Sequence, residues 1–323
     1  MEKVFSQKRY PEAIKKYQHL YDQLSYLSVD WVEAEKILNN LYRKDEFRKE
    51  LQRDNLRRLE DPNQWTFKTG GTRRLYTPIS NLHEKLRDVL RYNGKPLVGL
   101  DIKSSIPFFS LTLFIKQVYE EQEVEKLILA ISKSLNSKAK WKDNQGTSRR
   151  PLVMLAIFHD TQNNFSDIGE FIGLVKTGFY EGLMEVFNVR DYKVVKSIVL
   201  ELFNSPSTFD TKHREAFANR FPNVMKAIDL VNTGYRKTKN GKGKAKWKSG
   251  DQVCTFAHVT QQLEARFLLD TVCKAIEEDH PEVPMLTLHD CIFTTQNHIA
   301  LVKSYMERHA VEFMGFAPGI EVK

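Results

Sequence analysis

Along the first sixty residues, apolar side chains recur every three or four positions. Tyr10, Ile14, Tyr17, Leu20 and Tyr21 form one such series and Trp31, Ala34, Ile37, Leu38 and Leu41 a second, with charged residues between them. Residues three and four apart share one face of an α-helix, so this period predicts amphipathic helices over residues 1 to about 60. Asp61–Pro62–Asn63 breaks it, and a glycine-bearing stretch follows from Thr66 to Leu82, in which Gly70–Gly71 permits a tight turn just before Arg73 and Arg74. Glu84–Arg91 reads as a helix and Asn93–Gly94 as a turn, after which Leu97–Leu100 has the look of a buried strand that Asp101 ends. Ser104–Ser105 with Pro107 then carry helix-start chemistry into the apolar run Phe108–Phe114.

Residues 115–190 read as mostly helical, interrupted by a polar loop, Asn136–Ser148, that holds Lys138, Lys140 and Lys142, and by Arg149–Arg150 before the apolar run Pro151–Phe158. Arg190–Asn204 predicts a helix with Ile198, Val199, Leu202 and Phe203 on its buried stripe and Lys193 and Lys196 together on one side. Val259–Ile276 predicts a strong helix, Lys303–Val311 a last one, and Gly315–Lys323 an edge strand. Met285–Thr295 departs from the helical period: two short apolar runs flank His289–Asp290, which predicts strand, tight turn and strand with a carboxylate at the tip. Alone, such a pair fits a surface hairpin with its polar tip in water. It gains meaning only if a second acid is placed to meet it.

Composition narrows the class. At 323 residues with 41% hydrophobic content, the chain can bury a sizeable core. It contains no run of 18 or more apolar residues and is charged from its second residue, so neither a membrane span nor a signal peptide is expected, and the default compartment is the cytoplasm. Cys254, Cys273 and Cys291 are far apart with no CxxC pair, which argues against a disulfide framework and a cysteine zinc site. The net charge of +8 is concentrated in Tyr235–Lys248, where seven Lys/Arg and no acid surround Trp247. Such a block suits a polyanion, and an aromatic among lysines can stack on a base; a solvated loop is the plain alternative.

A strand-end Asp early in the chain and a hairpin-tip Asp late in it are what two-metal nucleotidyl transfer requires: carboxylates on rigid strands bridging two Mg2+ ions about 4 Å apart. With these motifs in order, the chain resembles the family A DNA polymerases and their relatives, the single-subunit phage and mitochondrial RNA polymerases. Asp101 in LVGLDIKSSIPFFSL matches the family's first motif, and His289–Asp290 in LTLHDCIFTT its His-Asp hairpin, with Cys291 where the DNA polymerases often carry Glu. Lys196 with Phe203 in KSIVLELFN matches the triphosphate-binding helix, although Tyr192 stands in place of the family's Arg and Asn204 in place of its Gly. TGGTRRLYTPISNL resembles the primer-template segment, and HVTQQLEARFLLDTV the Gln-bearing helix before the hairpin.

The resemblance implies an α+β right-hand polymerase: a small antiparallel palm sheet, helical fingers and N-terminal thumb-like helices. Its expected parts are an N-terminal helical region 1–65, palm 66–115, fingers 116–250 with the basic loop 235–248, and palm 251–323. It implies Mg2+ (two ions, replaceable by Mn2+) on Asp101, Asp290 and the Ile102 backbone carbonyl. It places the nucleotide on Lys196, Lys193, Phe203 and Ile106, and the nucleic acid on Arg73, Arg74, Gln261 or Gln262, His289, Lys242, Lys244, Lys246 and Trp247. The bulk of Ile106, offset from Asp101 where the family excludes a ribose 2′-hydroxyl, points to dNTPs on a DNA primer-template, with RNA or NTPs as the alternative. The expected protein is a minimal monomeric enzyme of a phage or mobile element without proofreading. An HD-type phosphohydrolase would need a further Asp downstream, and no Asp follows Asp290; a non-catalytic nucleic-acid-binding protein would not need both acids.

Overall fold

The apolar run that ends at Asp101 is the middle strand of a sheet. The computed structural model describes residues 10–128, 166–205, 211–232, 238–239, 245–246 and 255–323. In chain order its strands are β1 (Leu27–Val29), β2 (Lys68–Thr69), β3 (Leu75–Tyr76), β4 (Leu90–Tyr92), β5 (Lys95–Ile102), β6 (Thr238–Lys239), β7 (Ala245–Lys246), β8 (Leu286–Leu288), β9 (Cys291–Thr295) and β10 (Ile320–Val322). Six of them form one antiparallel sheet in the order β1-β4-β5-β9-β8, with β10 also paired to β5. β9 runs along one edge of β5; the other edge carries β4 at its start and β10 at its end. The fold is thus α+β with an antiparallel sheet.

The chain divides into two compact units, Met1–Lys103 with Glu264–Lys323, and Ser104–Leu263. In the first, Leu100 and Ile102 are buried on one face of β5, while Gly99, also buried, and the half-buried Asp101 lie on the other. Leu100 pairs with the fully buried Ile292 of β9, and the helix Ile299–Met314, with Val302 and Met306 fully buried, packs on both strands. Each such apolar side chain contributes roughly 1.5–3 kcal/mol on burial. Gly99 is required by close approach, because a Cβ there would stand 3.0 Å from Cys291 Sγ and 3.2 Å from the Phe293 ring.

The N-terminal helices Pro11–Lys16, Gln18–Gln23, Trp31–Leu41 and Glu46–Leu59 form where the period predicts them, the last two with Asp30 and Asp45 as N-caps. β1, however, interrupts that region as a three-residue strand on β4. Glu84–Arg91 is not a helix: a 3-10 turn at Glu84–Leu86 gives way to β4, whose side chains pair across the sheet. The predicted helix Val259–Ile276 begins at Phe256, and its middle, Arg266–Cys273, widens into a π-helix before Lys274–Asp279. Within that wider turn Asp270 accepts hydrogen bonds from Tyr17 Oη (2.8 Å) and Lys16 Nζ (2.9 Å), which fastens the first helix to it.

The second unit is helical and aromatic. Phe171 meets Phe114, Phe179 and Phe221 at ring-centroid distances of 5.3, 5.3 and 5.9 Å, and Phe203 meets Phe256 at 4.7 Å, all edge-to-face. Asp167 accepts from the backbone N–H of Asn223 and from its side chain, closing the start of the helix Pro222–Val231. β6 and β7 form a short hairpin within the basic segment. Asn136–Ser148, Arg149, Arg150, Pro151–Phe158, Lys242, Lys244 and Trp247 lie outside the described residues. Among the described residues no helix is long and apolar enough to cross a membrane.

Candidate active site

β8 and β9 are joined by a two-residue turn, His289–Asp290, with Leu288 paired to Cys291 at its base. His289 takes a left-handed φ of 55°. A β-bearing residue rarely adopts that region, and holding it there costs on the order of 1–2 kcal/mol, which surrounding structure must offset. Across the sheet Cys291 faces Asp101 directly, and the Ile102 N–H donates to the Asp290 carbonyl at 3.1 Å. One backbone hydrogen bond therefore ties the segment bearing one acid to the segment bearing the other. Both carboxylates also act on the Cys291 thiol: burial chiefly, then Asp101 and Asp290, push its pKa up, so it stays a neutral thiol.

His289 is flanked by Tyr76, edge-on at 6.1 Å, and its Nδ1 is buried without a hydrogen-bond partner among the described residues. Burial first, then the positive charges of Arg74 and Arg87, lower its pKa to about 4. At neutral pH it is therefore an uncharged ring beside Asp290. Arg74 itself is bound bidentately to Glu264, Nε to Oε1 at 2.8 Å and Nη2 to Oε2 at 2.9 Å, and the Glu264 side chain is 0% exposed. Its guanidinium fork is engaged inside the protein, whereas the neighbouring Arg73, at φ 59° in the β2–β3 loop, is exposed.

On the other edge of β5, Asp101 faces Glu321 of β10, and Lys323 pairs its ammonium with the Asp101 carboxylate. Glu264, Arg87, Glu321 and Lys323 were not singled out by sequence. Glu264 lies within the Gln-bearing helix and Arg87 within the stretch read as helical, so their only signal was charge; Glu321 and Lys323 acquire a place only once β10 is seen to lie on β5.

In the unit Ser104–Leu263, Lys193 and Lys196 are exposed on the helix Tyr192–Asn204, capped by Asp191, and neither ammonium has a carboxylate partner among the described residues. Phe203 corrects the expectation made of it: it is 0% exposed and packed on Phe256, because it belongs to that helix's apolar stripe, so it presents no ring to a nucleotide. Ile106 is half-buried in the short helix Ser105–Ser110. Gln262 is 5% exposed, which leaves Gln261 as the more accessible of the pair. Lys246 sits in β7.

Among the described residues no group of three or more His, Cys, Asp or Glu converges on a metal position. One carboxylate at a strand end and one in the adjoining turn still fit Mg2+, a hard cation that takes one or two protein carboxylates and completes its shell from water and substrate phosphate. The ammonium on Asp101 is itself a cation at that carboxylate.

No family model matches the chain, and no curated protein matches it. Among solved structures it is similar to the POL domain of Pol1 from M. smegmatis in complex with DNA primer-template and dNTP, with a TM-score of 0.36 and 16% identity. The match covers 89% of this chain and 54% of that one, so the chain spans about half of that structure's length. A likeness of that degree assigns chemistry to no residue.

Proposed function

We propose that the chain is a template-directed nucleotidyltransferase, a minimal DNA polymerase working by two-metal chemistry. One observation carries this reading: Asp101 at the end of β5 and Asp290 at the β8–β9 turn are brought to adjoining strands and tied by the Ile102–Asp290 hydrogen bond. On this reading the six-stranded sheet is a palm of the right-hand type, and the unit Ser104–Leu263 carries the fingers.

Asp101, Asp290 and the Ile102 carbonyl would hold two Mg2+ ions, for which Mn2+ can substitute. Bound there, such ions lower the pKa of a primer 3′-hydroxyl and neutralise the triphosphate and the leaving pyrophosphate. The chain's own groups then position the reactants. Lys193 and Lys196, exposed and without carboxylate partners among the described residues, take the triphosphate charge. Ile106 excludes the ribose 2′-hydroxyl and so favours dNTPs. Arg73, Gln261 and the basic segment with Lys242, Lys244, Lys246 and Trp247 grip the nucleic acid. Arg74, in the same primer-template segment as Arg73 and with its fork bound to Glu264, adds positive charge beside His289.

The test is primer extension by the purified full chain with Mg2+, offered dNTPs or NTPs in parallel. Extension with dNTPs that is lost in Asp101→Asn is the expected result; no incorporation of any nucleotide would overturn the reading.

A further inference from the structure

The cation already at the proposed metal position belongs to the chain itself. β10 is fastened to β5 by the ladder Ile320 to Ile102, Glu321 to Asp101 and Val322 to Leu100, and beyond it Lys323 and Gly99 exchange both backbone hydrogen bonds, at 2.8 and 3.0 Å. At the other end the Lys103 N–H donates to the Gly319 carbonyl at 2.8 Å. The strand thus fixes where the Lys323 side chain starts. Directly opposite residues share a face of the sheet, so Lys323 rises beside Gly99, on the face that carries Asp101, and Gly99 has no side chain to obstruct it.

The ammonium is paired with Asp101 Oδ2 and lies 3.9 Å from Glu321 Oε2. Asp101 is largely buried, with 20% of its side chain exposed, whereas Lys323 is 55% exposed and its flexible stem can swing outward. The carboxylate is therefore the fixed partner and the ammonium the movable one. Glu321 gives a displaced ammonium a second carboxylate within reach.

We propose that Lys323 is the resident counter-cation of Asp101, which a divalent ion must displace to enter the site, and that Glu321 receives the ammonium when it leaves. The proposal rests on Asp101 being a metal ligand, as in the reading above. Lys323 is on this account a positioning residue: it sets how readily the site fills and keeps Asp101 neutralised while it is empty of metal.

The experiment titrates Mn2+ into the nucleotide-free full chain, following bound ion by electron paramagnetic resonance, for the natural sequence and for Lys323→Met, Lys323→Arg and Asp101→Asn. Removing a partly exposed competing charge should tighten Mn2+ binding about three- to tenfold in Lys323→Met. Lys323→Arg should stay near the natural value and Asp101→Asn should lose the ion. Mn2+ binding unchanged or weaker in Lys323→Met, while Asp101→Asn still loses it, overturns the role of Lys323 and leaves the metal site standing. No binding by the natural chain, or full binding by Asp101→Asn, overturns the metal site and the proposal with it. Thermal unfolding in chelator gives a second readout: Asp101→Asn and Lys323→Met should be non-additive without metal and additive with saturating Mn2+, and additivity in both conditions counts against the pair.

Discussion

Two hairpins in the same sheet close with two-residue turns, and they are built on opposite principles. Between β4 and β5 the turn is Asn93–Gly94, with φ of 47° and 76°. Both positions need a left-handed backbone, and Asn and Gly are the residues that adopt it at least cost. Between β8 and β9 the turn is His289–Asp290, with His289 at φ 55°, its Nδ1 buried and unpaired, and the charges of Arg74 and Arg87 nearby. The first turn is chosen for the backbone, the second for its side chains. A strained position with a buried polar atom unpaired among the described residues costs stability, and the role proposed for Asp290 gives a reason for keeping it.

The comparison can be broken most sharply at the acid. Asp290→Asn should cut primer extension by roughly 10³-fold or more with the melting temperature nearly unchanged, if the proposed role holds. Asn93→Ala should do the reverse, lowering stability by about 1 kcal/mol and leaving extension alone. Paired rate and thermal-melt measurements on the two variants decide it, and a matched loss of activity would make the two turns equivalent.

A second effect lies in the support of the His289 turn. Glu264→Gln removes the carboxylate from a buried ion pair and strands the Arg74 charge, so urea denaturation should show a loss of roughly 3 kcal/mol. A loss under half that size would mean Arg74 finds another partner. A smaller change is expected from glycine exchange. His289→Gly should raise stability by up to about 1 kcal/mol by relieving the left-handed strain, while Gly94→Ala should lower it by a similar amount. Equal signs for the two would erase the distinction between the turns.

The smallest effect is in pH. The folded-state pKa of His289 is about 4, below its ordinary 6.5, so below pH 6.5 the unfolded chain takes up a proton that the folded chain refuses. The contribution is fully present above 6.5 and is lost as pH falls toward 4. Because the ring is only partly shielded from solvent, the loss should be about 1 kcal/mol. Thermal melts of the natural chain and His289→Gln across these pH values should show the difference in stability moving by that amount against the natural chain at the acid end; a difference independent of pH would mean the ring titrates normally.

Much of this architecture is legible in the sequence where a single element carries the signal. Two apolar runs around His289–Asp290 leave room only for a hairpin, Asn93–Gly94 names its own turn, and the three- and four-residue spacing of Trp31 to Leu41 and of Val259 to Ile276 marks helices. Glu84–Arg91 misled because its apolar positions, Leu86, Val89 and Leu90, fit a helical face, and only pairing with β1 and β5 makes Leu90–Tyr92 a strand. Phe203 misled in the same way: an aromatic at a helix end looks the same in sequence whether it faces a ligand or Phe256.

By itself, then, the sequence determined the local elements, the absence of long apolar runs, and the two acids at a strand end and a hairpin tip, because periodicity and turn chemistry act over a few neighbouring residues. Tertiary structure alone decided which distant groups meet. It set Cys291 and Glu321 on either side of Asp101, gave Arg74 to Glu264, lodged the His289 ring among cations, and laid Lys323 on Asp101, 222 residues away in the chain. Strand register and the direction of a side chain across a sheet are properties of pairing, and no local pattern records with which strand a given strand will pair.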